Sequence, residues 1–237
     1  MSELVKTKGI VLNYLKYGDN HLIANIFTQT HSRLSFFIKG SAKKKNKYKN
    51  ILQPLNIVHL EFLFSPKKEL HYFKSMEIEF ANDFFLSQQK SSIAFLLSDF
   101  FDKLTLRQAP STDFFSFILE AIRQLNNPDT KIQYLFLQTL TTSLHLMGLA
   151  PTVPQNAVYF NLQTGYFTSI ASNDNHLSKE ETAYFIQLLS NKSFEHLVEI
   201  PANIRLPLIE HLLYFYQYHL NIGKLSGYDI IKAMYLK

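Results

Sequence analysis

At 237 residues, 46% hydrophobic and 18% charged, the chain is long enough for one large domain or two small ones and too apolar for global disorder. It has no cysteine, which excludes disulfides, thiolate metal sites and cysteine nucleophiles. Its net charge of +5 is unevenly placed, with 13 Lys+Arg against 6 Asp+Glu in residues 1–80 and 11 against 13 in residues 81–237, so a basic amino-terminal part that meets a polyanion is expected.

No apolar run approaches the ~20 residues of a membrane span. The start MSELVKTKG lacks the apolar segment of a secretory signal. A soluble, intracellular protein is the expectation.

The first 80 residues read as strands. Lys8 to Leu15 is short and apolar-rich, and Tyr17-Gly18-Asp19-Asn20 is a turn signal. His21 to Thr28 is a second run, closed by Gln29-Thr30-His31-Ser32. Arg33 to Lys39 alternates, with Leu34, Phe36 and Ile38 on one side and Arg33, Ser35, Phe37 and Lys39 on the other. Six of the eleven residues from Lys39 to Lys49 are then lysines. Such a run either docks phosphates or is a solvated loop. Leu55 to Phe64 is the fourth run, Ser65-Pro66-Lys67-Lys68 a turn, and Glu69 to Glu77 the fifth run. Five short strands predict a small closed barrel, because closure removes exposed edges. An OB-type barrel has this strand count; the alternation does not distinguish it from an SH3-like barrel.

Beyond residue 80 the period becomes helical. Helices are predicted over Ser91–Leu106, Asp113–Leu125 (capped by Ser111 or Thr112), Asp129–Met147, from the capping box Ser178-Lys179-Glu180-Glu181 to Leu189, and over Ala202–Leu220. Ser226 to Asp229 opens a final helix to Leu236. Within Pro151–Asn175, the runs Val158–Leu162 and Tyr166–Ile170 flank Gln163-Thr164-Gly165 and predict a β-hairpin. The fold class is therefore α+β: a five-stranded barrel (residues 1–80), then a mainly helical domain (81–237) with a hairpin insertion.

No nucleophile elbow, phosphate loop, dinucleotide fingerprint or zinc-protease motif is present. His211 and His219 lie eight apart, not the three or four that suit a metal pair on a helix. Asp99 and Asp102 read as a solvated helix face. No catalytic residue, metal or cofactor is expected, and no enzyme.

Binding chemistry is better represented. Arg33, Phe37 and Lys39 share a strand face, and a ring between cations suits single-stranded nucleic acid. Tyr14 and Lys16 repeat the arrangement on the first strand. Lys67 and Lys68 charge the turn between the fourth and fifth runs. Lys43, Lys44, Lys45, Lys47 and Lys49 supply phosphate contacts, and Tyr48, with no apolar neighbours in sequence to draw it inward, is a stacking candidate. Phe37 has a competing reading as a cap beneath the helical part.

The opening resembles the RecO family of bacterial recombination mediators. The resemblance rests on Gly9-Ile10-Val11-Leu12, Tyr17-Gly18-Asp19-Asn20, Ile26-Phe27-Thr28, Arg33-Leu34-Ser35-Phe36, Ile38-Lys39-Gly40 and Leu52-Gln53-Pro54-Leu55, in that order. A looser match continues at Leu146–Pro151 and His219-Leu220. It implies an OB-fold and a helical domain, binding to single- and double-stranded DNA, and annealing of complementary strands. It also implies partnership with RecR and with the acidic C-terminal tail of single-stranded-DNA-binding protein, loading of RecA onto coated strands, and a cytoplasmic, nucleoid-associated location. Many members carry a four-cysteine zinc motif after the position of Pro151. Here packing of Tyr159, Phe160, Tyr166 and Phe167 is expected to replace it. The residues alone leave open an RNA-binding OB module and a non-catalytic adaptor.

Overall fold

The first strand serves two partners. In a computed structural model, which describes residues 3–39, 48–80, 82, 84, 87–106, 111–171, 175–229 and 232, β1 runs from Glu3 to Tyr17. β2 (His21–Thr28), β3 (Ser32–Ile38), the short helix α1 (Tyr48–Ile51), β4 (Ile57–Phe64), β5 (Leu70–His71) and β6 (Phe73–Phe80) follow. Glu3–Ile10 of β1 pairs with β4, and Gly9–Tyr17 pairs with β2. The register slips between Val11 and Asn13, a bulge that bends the strand from one neighbour to the next. Gly9 lies where the two pairings overlap. A Cβ there would sit 2.6 Å from Ile26 Cγ2 and 2.9 Å from Leu60 Cδ1. Gly9→Ala is therefore expected to destabilise the protein by about 1–3 kcal/mol through overpacking, read as a lower midpoint in urea; an unchanged midpoint would show that the barrel yields freely there.

The sheet order is β5-β3-β2-β1-β4-β6. β5 lies parallel to β3, and β6 antiparallel to β4. Only Tyr72 separates β5 from β6, so the two ends of the sheet are halves of one run and the ladder returns on itself. This is an OB-type closed barrel. It has six strands rather than the expected five, because the last run must leave β3 to reach β4 and Tyr72 drops out of the ladder at that step. The interior holds Ile26, Phe36, Val58, Leu60, Phe62 and Met76, among others. α1, which the alternation did not reveal, packs Tyr48 and Ile51 against this core, and Leu52 just after it is part of the core.

α2 (Gln88–Thr105) is capped by Ser87, whose side chain accepts from the Lys90 N–H. It lies on β1, where Ser98 Oγ donates to the Leu12 carbonyl at the bulge. α3 (Thr112–Asn126) follows Ser111, whose Oγ accepts from Phe114 N at 3.2 Å. α4 spans Ile132–Leu146, β7 Tyr159–Phe160, β8 Phe167–Thr168, α5 Lys179–Ser190 and α6 Ala202–Leu220. The capping box forms: Ser178 accepts from the Glu181 N–H while Glu181 accepts from the Ser178 N–H. Of the expected final helix, only 228–229 and 232 are helical among the described residues.

The hairpin is shorter than expected. Its strands are two residues each, because the Asn161 side chain accepts from the N–H groups of Gln163 and Thr164 and turns the chain early. Phe160 and Phe167 pack on Phe185, at 4.9 and 6.2 Å between ring centroids. Tyr166 does not share in this packing; it is 73% exposed.

The chain divides into two compact units, residues 1–122 with 225–227, and residues 123–224 with 228–237. The first holds the barrel, α2 and most of α3. No helix among the described residues is long and apolar enough to cross a membrane.

Candidate nucleic-acid interface

The outer face of β1, β2 and β3 forms three rows. Register places Phe27 opposite Arg33, Asn13 opposite Asn25 opposite Ser35, and Leu15 opposite Ile23 opposite Phe37. The first row is covered. Phe27 is buried against Phe114 and Phe115 of α3, at 5.7 and 6.1 Å. Arg33 Nε donates to Asp102 Oδ1 of α2 at 2.7 Å, and the two side chains are 17% and 15% exposed. The middle row is a polar ladder: Asn25 Nδ2 donates to Asn13 Oδ1, and Ser35 Oγ donates to Asn25 Oδ1, both at 2.7 Å.

The third row is open. Phe37 is half-buried at its centre, with Tyr17 at 6.0 Å, His21 at 4.9 Å and Tyr72 at 5.6 Å between ring centroids. Tyr17 is 54% and Tyr72 60% exposed. Lys39, at the end of β3, and Lys67 and Lys68, in the β4–β5 turn, are exposed.

Several expected site residues are thus placed differently from the sequence reading. Arg33, Phe37 and Lys39 do share a face, but Arg33 lies at its covered end, in an ion pair. Asp102 is Arg33's partner and not part of a solvated face; Asp99 likewise accepts from Lys103 and from the Ser226 N–H. Tyr14 and Lys16 are exposed, yet they pair with Ala24 and Leu22, whose side chains point into the barrel. They therefore stand on the other side of β1 from Phe37. Tyr48 does have apolar neighbours: its ring meets Phe73 edge-on at 5.3 Å. Lys43, Lys44, Lys45 and Lys47 lie outside the described residues, as does the side chain of Lys49.

Tyr17, His21 and Tyr72 were not anticipated. Counting outward from the turn at Gly18-Asp19-Asn20 would have found the first two, since it sets Tyr17 opposite His21. Tyr72 was not legible, because it belongs to the break between β5 and β6.

His71, next to Tyr72, points inward. It is 2% exposed, and neither ring nitrogen has a hydrogen-bond partner among the described residues. Its ring stacks on Phe64 and lies near Phe36 and Phe62. Burial holds its pKa below the usual histidine value, with Lys68 and His31 adding to this against the opposing pull of the backbone at Ser65 and Ser35. The folded state thus favours neutral His71, and an unfolded chain takes up the proton first. The stability this contributes is present above the unfolded pKa of ~6.5 and is lost as pH falls toward the lower folded value. A thermal melting series from neutral pH to about pH 5 is expected to show falling stability, with a smaller slope in His71→Leu. Equal slopes would refute the assignment.

In the second unit His211 and Glu181 form a 2.8 Å pair. The hydrogen bond that His211 Nδ1 donates to the Glu181 carboxylate raises the His211 pKa. Burial pushes Glu181 up, but hydrogen bonds from His211 and the Ser178 N–H outweigh it and lower the pKa. The His211 contribution therefore weakens as pH rises through its folded pKa, opposite in sign to His71. His219 Nε2 instead lies 3.0 Å from the Leu162 carbonyl. Among the described residues no group of three or more His, Cys, Asp or Glu is placed to hold a metal ion.

Along β1, β4 and β6, a groove of about 410 Å³ is lined by Lys6, Lys8, His59, Glu61 and Glu77, among others. Its charges are largely paired: Lys6 with Glu61, Lys8 and His59 with Glu79. It offers no uniformly positive surface.

A closed OB barrel with an open aromatic row, followed by helices, places the chain among OB-fold proteins with a helical extension. It belongs to the recombination protein O family: residues 1–81 match the family's N-terminal model and residues 87–227 its C-terminal model. The chain is 26% identical over 239 residues to the DNA repair protein RecO of Phocaeicola vulgatus, covering 98% of this chain and 99% of that one. It is 29% identical over 244 residues to the DNA repair protein RecO of Flavobacterium johnsoniae, with the same coverage.

Proposed function

We propose that the chain is a DNA repair protein that binds DNA through its barrel (residues 1–80), anneals complementary strands and helps load recombinase onto protein-coated single strands. The observation that carries this is the solvent-open Tyr17–Phe37–Tyr72 row beside Lys39, Lys67 and Lys68. The lysine run begins at Lys39, two residues from Phe37. Complementary strands repel one another; a basic surface that neutralises both lowers that barrier and concentrates them. No bond is made or broken, so the reading needs neither catalytic residue nor cofactor.

The helical domain (residues 81–237) is proposed to hold RecR and the acidic tail of single-stranded-DNA-binding protein. Of the cations there, Arg205 is buried, 5.2 Å from the Tyr134 ring centroid, and donates to the Ile200 carbonyl. Lys131 is more accessible, though paired with Glu199.

The test is a strand-annealing assay at low and high salt, with and without replacement of Lys43, Lys44, Lys45, Lys47 and Lys49. Annealing that is fast at low salt and lost in the variant supports the reading. Equal annealing by both proteins removes the lysine run from it. An RNA-binding module is the second reading, since RNA offers the same phosphates and bases; competition between matched DNA and RNA oligonucleotides separates them.

A further inference from the structure

We infer that Tyr17, Phe37 and Tyr72 form a base-stacking row that selects single-stranded DNA over duplex; this rests on the nucleic-acid reading above. The three rings come from β1, β3 and the β5–β6 break, and only the fold brings them together. Phe37 is the half-buried floor, with Tyr17 at 6.0 Å and Tyr72 at 5.6 Å on either side. Both tyrosines are more than half exposed, and neither hydroxyl bonds to a described residue. The core does not account for them: His71, beside Tyr72, fills the barrel end instead.

Charge favours a polyanion as the occupant. The segments that carry the row (residues 17–21, 35–39 and 65–74) hold four lysines against two carboxylates, Asp19 and Glu69. Rings and cations act on different parts of the ligand. Phosphates are equally available on single strands and duplexes, so lysines serve both. Base faces are free only in a single strand, because in a duplex each base is already stacked on its neighbours. The row therefore adds affinity for single strands alone, and the difference is selectivity.

The experiment uses the full chain with Tyr17→Ala and Tyr72→Ala together, leaving the packed Phe37 in place. Binding to a labelled oligothymidine and to a duplex of equal length is followed by fluorescence anisotropy. Single-strand affinity is expected to fall about 10- to 100-fold, within the range for losing one stacked base. Duplex affinity and the salt slope should stay unchanged, and Tyr17→Phe with Tyr72→Phe should restore single-strand binding. Equal losses on both ligands, or no loss on either, overturn the inference. If the tyrosine pair changes nothing while the five-lysine variant loses both ligands, the inference fails and the nucleic-acid reading stands. If the unaltered protein binds neither ligand, both fail, and a protein partner for the row becomes the better account.

Discussion

Replacing Lys43, Lys44, Lys45, Lys47 and Lys49 together by glutamine should flatten the salt dependence of DNA binding. Each lysine on a phosphate releases condensed counterions, so affinity falls with salt at about 0.7 log units per contact and decade for single strands. With about four to six contacts the slope is about −3 to −4, and a fourfold rise in salt weakens binding about 60- to 250-fold. The variant, left with the three cations Lys39, Lys67 and Lys68, should have a slope no steeper than about −2, lose about 20-fold or less over the same range, and bind more weakly at low salt. Titration of an oligonucleotide at two salt concentrations measures both numbers. If the two proteins share one slope, the run is a solvated loop, as an adaptor would have it. The run is the densest charge feature in the sequence, and charge counts alone set this expectation.

Arg33→Ala should unfold the protein more readily, whatever it does to DNA. Its guanidinium and the Asp102 carboxylate are mostly shielded from water. Removing one partner leaves the other desolvated and unpaired, which costs about 2–4 kcal/mol, at or below the range for fully buried pairs. Asp102→Ala should cost a similar amount, and the double change should recover part of it, since no orphaned charge remains. Urea denaturation of the three variants gives the coupling. Additive losses would mean that the pair is screened and that Arg33 is free to act elsewhere. Because Arg33 sits under α2, salt dependence of DNA binding should change little in the single variant.

Local pattern carried much of the fold. β2 and α6 run over the residues expected of them, His21–Thr28 and Ala202–Leu220, because turn residues bound the first and a Gly-containing stretch follows the second. The box at Ser178 and Glu181 was readable because capping is settled within four residues. Less was legible where an element answers to distant partners. β1 extends to Glu3 because β4 pairs with it, and the final run splits at Tyr72 because β3 and β4 each claim half. The candidate site suffered most from this. Alternation found Phe37 and Lys39, yet the same alternation could not show that α2 covers the Arg33 end, nor that Tyr14 and Lys16 stand behind the sheet.

Residue types and their immediate neighbours therefore determined the barrel, the helices and the basic amino-terminal third, since period and charge are properties of short stretches. Which lysines and rings meet, and which cation is consumed by the fold, depended on strand register and on a helix nearly 70 residues further along the chain. Such pairings are chosen by the closure of the barrel as a whole, where a shift of one residue would turn every side chain on a strand to the opposite face.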